Sequence, residues 1–259
     1  MRTIHFALWA TVFLLSACNN NQSSQKETVK KYPDLAAYTL KGNVSSTQDS
    51  TFVIDSMGKQ KPDSLVYGLG EYKEGYLQAY TDIDSAGKKA YTTYEHYDNG
   101  LWKGAQSVTN GKTTYKLNIQ LDTAGHYTTA QSYDSTGKMD YYNTDIKMNE
   151  YGMLLSAKLY KADSSLVNSF TNTFDKTNYL GSVTTDSTGK EKTRETIKVN
   201  DKGDPIEMTT ITKQKDSSIT KVITYNYTYD STGNWTLKTE INEKGKPIKI
   251  VKRKIVYSK

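Results

Sequence analysis

Few residues in this chain have the type and spacing that chemistry needs. Of its three histidines, only His96 and His126 lie beyond the apolar opening stretch. They fall on different expected strands or turns. No His-x-x-x-His pair and no Glu-bearing metal helix is present, so both are read as surface histidines. Asp82-Ile83-Asp84-Ser85-Ala86-Gly87 has the opening spacing of a calcium loop. Ala86 stands where a third oxygen ligand belongs, and the Glu expected six residues further on is missing. No nucleophile elbow, phosphate loop or dinucleotide fingerprint occurs. A carboxylate pair for glycoside hydrolysis needs only proximity in space, so the sequence leaves it open but singles out no pair. Cys18 is the one cysteine, which excludes an intramolecular disulfide and a thiolate metal cluster. No catalytic residue, metal or cofactor is expected.

A second set of polar residues recurs. Asp84-Ser85-Ala86, Asp122-Thr123-Ala124, Asp134-Ser135-Thr136, Asp186-Ser187-Thr188 and Asp230-Ser231-Thr232 each precede a Gly. An Asp at the first position accepts backbone N–H bonds from two residues on, and the Gly takes the left-handed conformation. Each unit therefore reads as a hairpin turn joining antiparallel strands. The triplets also resemble acceptor sites of a general O-glycosylation system of some Gram-negative bacteria. That resemblance implies Ser85, Thr123, Ser135, Ser187 and Ser231 as attachment points, which is compatible with the turn role.

Between the turns the dominant period is two. Tyr115, Leu117, Ile119 and Leu121 alternate with Lys116, Asn118 and Gln120. Ile223, Tyr225, Tyr227 and Tyr229 alternate with polar residues, as do Trp235, Leu237, Thr239 and Ile241. Further turn signals fall at Met57-Gly58, Asn99-Gly100, Asn110-Gly111, Tyr151-Gly152, Lys202-Gly203 and Lys244-Gly245. The spacing is too tight for helical crossovers, so parallel βαβ units are excluded. The chain is expected to be all-β: an antiparallel meander of about 13–15 strands, too many for a flat open sheet. A curled single sheet or open barrel is favoured over a thick sandwich, because only 36% of the residues are hydrophobic. Tyr, present 21 times, is expected to fill the core. Asp34 is placed to cap one helical turn. A bulge at residues 249–251 would reconcile the two apolar faces of the last strand.

Arg2 and the apolar run Ile4–Leu15 have the make-up of a secretory signal and are too short to span a bilayer. Leu15-Ser16-Ala17-Cys18 resembles a bacterial lipoprotein signal, which implies residues 1–17 as signal peptide and Cys18 as the lipidated first residue of the mature chain. Residues 18–31 are polar and expected as a flexible tether. The body, residues 32–259, is expected as one domain. No acidic residue follows Cys18 closely. Lipoproteins of some Gram-negative lineages carry acidic residues there to reach the outer surface, so the resemblance implies a lipid anchor in the outer membrane facing the periplasm rather than the surface.

Tyr229-Asp230-Ser231-Thr232-Gly233-Asn234-Trp235, followed by Asn242-Glu243-Lys244-Gly245-Lys246-Pro247-Ile248, is similar to the YD repeat of RHS-type proteins. It is more similar still to bacterial lipoproteins with degenerate YD-like units along their length, and Leu40-Lys41-Gly42-Asn43-Val44 resembles their usual opening. The resemblance implies an antiparallel meander in the cell envelope and no catalytic residue. Net charge is +6, or +5 once Arg2 leaves. Lys is interleaved with acids, apart from the basic tail Lys246–Lys259, expected as a charged sheet edge that resists aggregation. The functional expectation is a non-catalytic envelope lipoprotein, attached to the membrane through Cys18, that binds a protein or glycan and no nucleic acid. The alternatives are an envelope glycan-active enzyme with an unrecognised carboxylate pair, or an assembly element with an exposed sheet edge.

Overall fold

A computed structural model describes residues 34–258, apart from Asn99, Ala124 and the side chain of Leu65. After one helical turn, α1 (Asp34–Ala37), sixteen strands follow. They are β1 (Val44–Ile54), β2 (Gln60–Lys73), β3 (Tyr76–Asp84), β4 (Lys89–His96), β5 (Trp102–Thr109), β6 (Lys112–Leu121), β7 (Tyr127–Tyr133) and β8 (Met139–Met148). The second half comprises β9 (Leu154–Lys161), β10 (Leu166–Asp175), β11 (Asn178–Asp186), β12 (Glu191–Val199), β13 (Pro205–Lys213), β14 (Ser218–Tyr229), β15 (Trp235–Asn242) and β16 (Pro247–Tyr257). Each strand pairs antiparallel with the next, and β16 pairs with β1, so the sheet is a closed barrel.

The expected all-β meander is present. Two details are corrected: the strands number sixteen, and the ring is closed rather than open. A strand was missed because the β2–β3 turn is Glu74-Gly75, and Glu74 itself adopts a positive φ of 53°. Glu is an unusual residue there, so the sequence carries only a faint turn signal. β16 has β1 on one side and β15 on the other. Its basic residues therefore do not line an edge. The bulge in β16 falls at Ile248, where Glu240 faces Lys249 and Ile241 faces Pro247. That is one residue before the expected range.

The turns form as their chemistry dictates. In five of them, Oδ1 of Asp55, Asp84, Asp134, Asp186 or Asp230 accepts two backbone N–H bonds, from the residues two and four further on. Asn149, Asn200 and Asn242 do the same with their side-chain amides. Hairpin register is thus fixed locally, eight times over.

Inside and outside follow from register. On β4 the outward series is Lys89, Tyr91, Thr93 and Glu95; on β12 it is Lys192, Arg194, Thr196 and Lys198. The interior has two zones. Ala105, Leu117, Ile119, Ala130 and Ala157 form an apolar core with Tyr94, Tyr115 and Phe170 around them. Elsewhere Tyr72, Tyr80, Tyr225 and Tyr227 surround charged groups. Burial raises the phenols of Tyr72 and Tyr94 to about 12. Tyr38, Tyr72, Tyr94, Tyr97 and Tyr115 pack against the buried clusters, so the expectation of Tyr as filler holds. Gly68 on β2 lets Tyr80 lie across the strand, since a Cβ there would run into its hydroxyl.

β15 departs from its pattern. Lys238 and Glu240 face inward beside Tyr227 and Tyr225, while Leu237 and Ile241 face outward. The irregularity that pairs Tyr229 with Trp235 shifts the strand by one residue, and a one-residue shift exchanges the faces. Lys238 sits over the rings of Trp235 and Tyr225 at 5.7 and 5.8 Å and 3.5 Å from Glu240. Burial lowers the pKa of its ammonium.

The turn carboxylates predict the acid response. The Thr136 and Thr188 hydroxyls, with backbone N–H groups, hold Asp134 and Asp186 below the usual carboxylate range. An unfolded Asp titrates near 3.9, so this contribution is present above about pH 4 and is lost as pH falls through the lower folded values. Asn serves the same turns elsewhere in the chain. In an Asp134→Asn/Asp186→Asn variant, urea midpoints between about pH 4.5 and pH 2 are therefore expected to fall less steeply than in the parent. Equal slopes would contradict the assignment.

Candidate functional site

The barrel has two mouths, and they differ. The near mouth, where the chain enters, carries the turns after the even-numbered strands from β2 to β14, together with α1. The far mouth carries the turns after the odd-numbered strands.

The near mouth is stoppered by residues 34–43. Asp34 is the hub. It is 2% exposed, yet its carboxylate accepts from the Leu77 N–H at 2.6 Å and from the Trp102 indole N–H at 3.0 Å, and lies 3.2 Å from His96 Nε2. Three neighbouring strands, β3, β4 and β5, are thereby tied to one carboxylate. Leu35 N–H donates to Gly75 O. The segment then crosses the opening. Thr39 Oγ1 donates to Asp204 Oδ1 at 2.9 Å, in the β12–β13 turn. Asn234, in the β14–β15 turn, accepts from Lys41 N–H at 2.7 Å and donates to Lys41 O at 2.8 Å. Leu35, Leu40 and Val44 pack together beneath, with Tyr38, Tyr72 and Ile255 against them. Asp34 begins the helical turn as expected, but its carboxylate is bonded to the barrel wall.

The turn sequences explain the stopper. The residue after the turn Gly at this mouth is Tyr76, Leu101, His126, Met153, Asp204 or Asn234. Four of these are buried, Met153 completely. Apolar side chains pack there, and the two buried polar ones take bonds from the crossing segment.

Beside the stopper lies a depression of about 330 Å3 lined by Tyr76, Tyr94, Tyr97, His96, Glu74 and Asp98, among others. His96 was expected at the surface; its side chain is 13% exposed, and it packs edge-on against Tyr76 and Trp102 at 5.3 and 6.2 Å. His126, 43% exposed, lies at the surface near Asp122. Three half-buried phenol rings with a histidine and two carboxylates form a surface suited to stacking on a sugar ring or an aromatic side chain. The Asp34–His96–Trp102 arrangement left no trace in the sequence, because its partners lie 62 and 68 residues apart.

The other expected sites are spread out. Cys18 lies outside the described residues. Ser85, Ser135 and Ser187 are in far-mouth turns, Thr123 and Ser231 in near-mouth turns, and all five are exposed. Thr136 and Thr188, next in line, donate their hydroxyls to Asp134 and Asp186 at 2.6 Å, whereas the Ser135 and Ser187 hydroxyls have no hydrogen-bond partner among the described residues. No group of three or more His, Cys, Asp or Glu side chains could hold a metal ion among the described residues. Closure of the ring removes the bare terminal strand that an edge-assembly role requires.

No protein-family model matches the chain, and no curated protein does. Among solved structures it is similar to a porin-like protein from Bacteroides uniformis ATCC 8492, at 16% identity and a TM-score of 0.57, over 89% of this chain and 100% of that one. This likeness is one of fold. A porin-like protein from Bacteroides vulgatus ATCC 8482 superposes more loosely, at 12% identity and a TM-score of 0.34, over 83% of this chain and 99% of that one. So does the TcdB2-TccC3-Cdc42 complex, at 15% identity and 0.33, over 78% of this chain and 11% of that one.

Truncating the hub tests the stopper. Asp34→Ala leaves the Leu77 and Trp102 donors buried and unpaired, at about 1–3 kcal/mol each. At about 2–4 °C per kcal/mol for a domain of this size, calorimetry should show a melting temperature lower by roughly 10 °C. A loss under about 2 °C would mean that Asp34 does not anchor the segment.

Proposed function

We propose that this chain is a lipid-anchored, non-catalytic barrel of the cell envelope that binds a protein or glycan partner, with the depression beside His96 as its contact site. The observation that carries the reading is the chemistry of the outer wall. A barrel that crosses a bilayer needs an outward apolar band about 25 Å tall, and a Lys or Arg at mid-membrane costs about 2–4 kcal/mol. Here Lys116 and Arg194 stand in mid-strand on the outside. Ion pairs such as Lys158–Asp145 and Lys198–Glu207 decorate the same wall. With one mouth stoppered, a conducting pore is also disfavoured. The description porin-like, applied to the solved neighbour, is thus taken here as a statement about barrel shape.

Anchoring rests on Cys18. Fifteen residues lie between it and Asp34, and such a length of chain reaches at most about 55 Å.

The enzymatic alternative has one observation behind it. Burial raises the carboxyls of Asp82 and Glu195 above the usual range, as a general acid requires. They stand on β3 and β12, well apart around the ring, which does not suit a paired mechanism.

Peptide mass spectrometry of the protein from its native cells tests the anchor and the turns together. The expected result is an acylated Cys18 at the mature N-terminus, with hexose-bearing peptides at one or more of Ser85, Thr123, Ser135, Ser187 and Ser231. A Cys18→Ala variant is expected to stay dispersed without detergent and to produce no conductance steps in a planar bilayer. Stepwise conductance, or a mature chain without acylated Cys18, would defeat the reading.

A further inference from the structure

The two mouths are built from the same turn with a different residue after the glycine. At the far mouth that residue is Lys in six of the eight turns: Lys59, Lys88, Lys112, Lys138, Lys190 and Lys246. The remaining two turns are flanked by Lys161, and by Lys213 and Lys215. All nine are exposed. Turns on one mouth are two strands apart, so neighbouring lysines of this crown recur roughly every 10 Å around the rim.

The crown is only partly offset by its own turns, which carry Asp55, Asp84, Asp134, Asp163, Asp186, Asp216 and Glu243 against the nine lysines and Lys244. Glu191 is turned to Arg194 on the barrel wall. The near mouth has the opposite balance, with Glu74, Asp98, Asp122, Glu150, Asp175, Asp201, Asp204 and Asp230 in or beside its turns against Lys73, Lys176 and Lys202. The barrel is therefore electrically polar along its axis, acidic where the chain enters and basic at the other end.

An open depression of about 540 Å3 lies between the β11–β12 and β13–β14 turns. Lys190, Lys213 and Lys215 line it, together with Gln214, Ser217, Ser218, Asp216 and Glu191. Three ammonium groups stand against two carboxylates, of which Glu191 is paired with Arg194. The opening is shallow and wet, so it suits a hydrated, charged ligand better than an apolar one.

We propose that the far mouth is a docking surface for an acidic polysaccharide, a linear glycan with repeated carboxylates, and that Lys190, Lys213 and Lys215 form its primary contact. A polymer is favoured over a single small anion because the cations recur around the whole rim at similar spacing, so one chain engages several at once. An anionic membrane surface is the competing occupant, and the vesicle arm of the test below decides between the two. The binding itself does not depend on the anchor and is measured separately from it.

The test uses the purified full chain in detergent, with polygalacturonate as probe, neutral dextran as control, and phosphatidylglycerol vesicles as the competing surface. Retention by polygalacturonate is expected, weakening as salt rises from about 50 to about 300 mM, as screening requires. Lys190→Gln/Lys213→Gln/Lys215→Gln should weaken it about tenfold with an unchanged melting curve. Lys103→Gln/Lys147→Gln/Lys176→Gln, at the near mouth and outside the depression beside His96, should leave it within about twofold. Three outcomes would overturn the proposal: no retention of the parent chain, equal loss in both triple variants, or stronger capture by the vesicles than by polygalacturonate. Each of these can occur whether or not Cys18 proves to be acylated.

Discussion

Everything in this molecule depends on the pairing of its first strand with its last. A meander leaves two bare edges, and an edge is a template for unwanted pairing. Here β1 and β16 meet over nearly their whole length, from Val44 opposite Tyr257 to Val53 opposite Lys249. The seam is marked by specific chemistry. Arg253 donates two hydrogen bonds to the Asp49 carboxylate, at 2.7 and 2.7 Å, directly across it. The same guanidinium lies 3.6 Å from the centre of the Trp235 ring. Both charges are mostly withdrawn from solvent, at 15% and 18% side-chain exposure. An ion pair in such a place contributes little net stability, but removing either partner alone is costly. Its value here is registry: a shift of one residue would place an unpaired charge inside the barrel.

Closure also explains the asymmetry of the mouths. In a ring, both ends are rims of turns, and every second turn belongs to the same rim. A residue type repeated at alternate turns is therefore gathered at one end of the barrel. Lysine after glycine at the odd-numbered turns and buried residues at the even-numbered ones give one charged rim and one sealed rim. The seal is made by a short polar-headed segment whose Asp34 satisfies donors from three strands.

Much of the architecture was legible in the sequence. The alternation of β6 and β14, the Asp- and Asn-led turns, and the excess of Tyr over aliphatic residues all predict a Tyr-filled antiparallel meander. What escaped has physical causes. Glu74-Gly75 makes a turn through a residue that seldom adopts positive φ. The inward face of β15 is set by a local irregularity at Tyr229 and Trp235, so apolar alternation pointed the wrong way. Ring closure joins residues about 200 apart in sequence, which no local pattern reports. His96 lies on the inward face of β4 by alternation with Glu95, and Asp34 folds back onto it from 62 residues away. The lysine crown, by contrast, is plain in the sequence once the turns are sorted into odd and even.

The most direct test of closure is a cross-link over the seam. Ser50 and Lys252 face each other on β1 and β16, and facing Cα atoms in such pairs lie about 5 Å apart, within disulfide reach. In a Cys18→Ser background, Ser50→Cys/Lys252→Cys is expected to oxidise rapidly to a monomeric, intramolecular disulfide with the fold intact. Failure to oxidise, or oxidation only to covalent dimers, would show that the first and last strands do not meet within one chain.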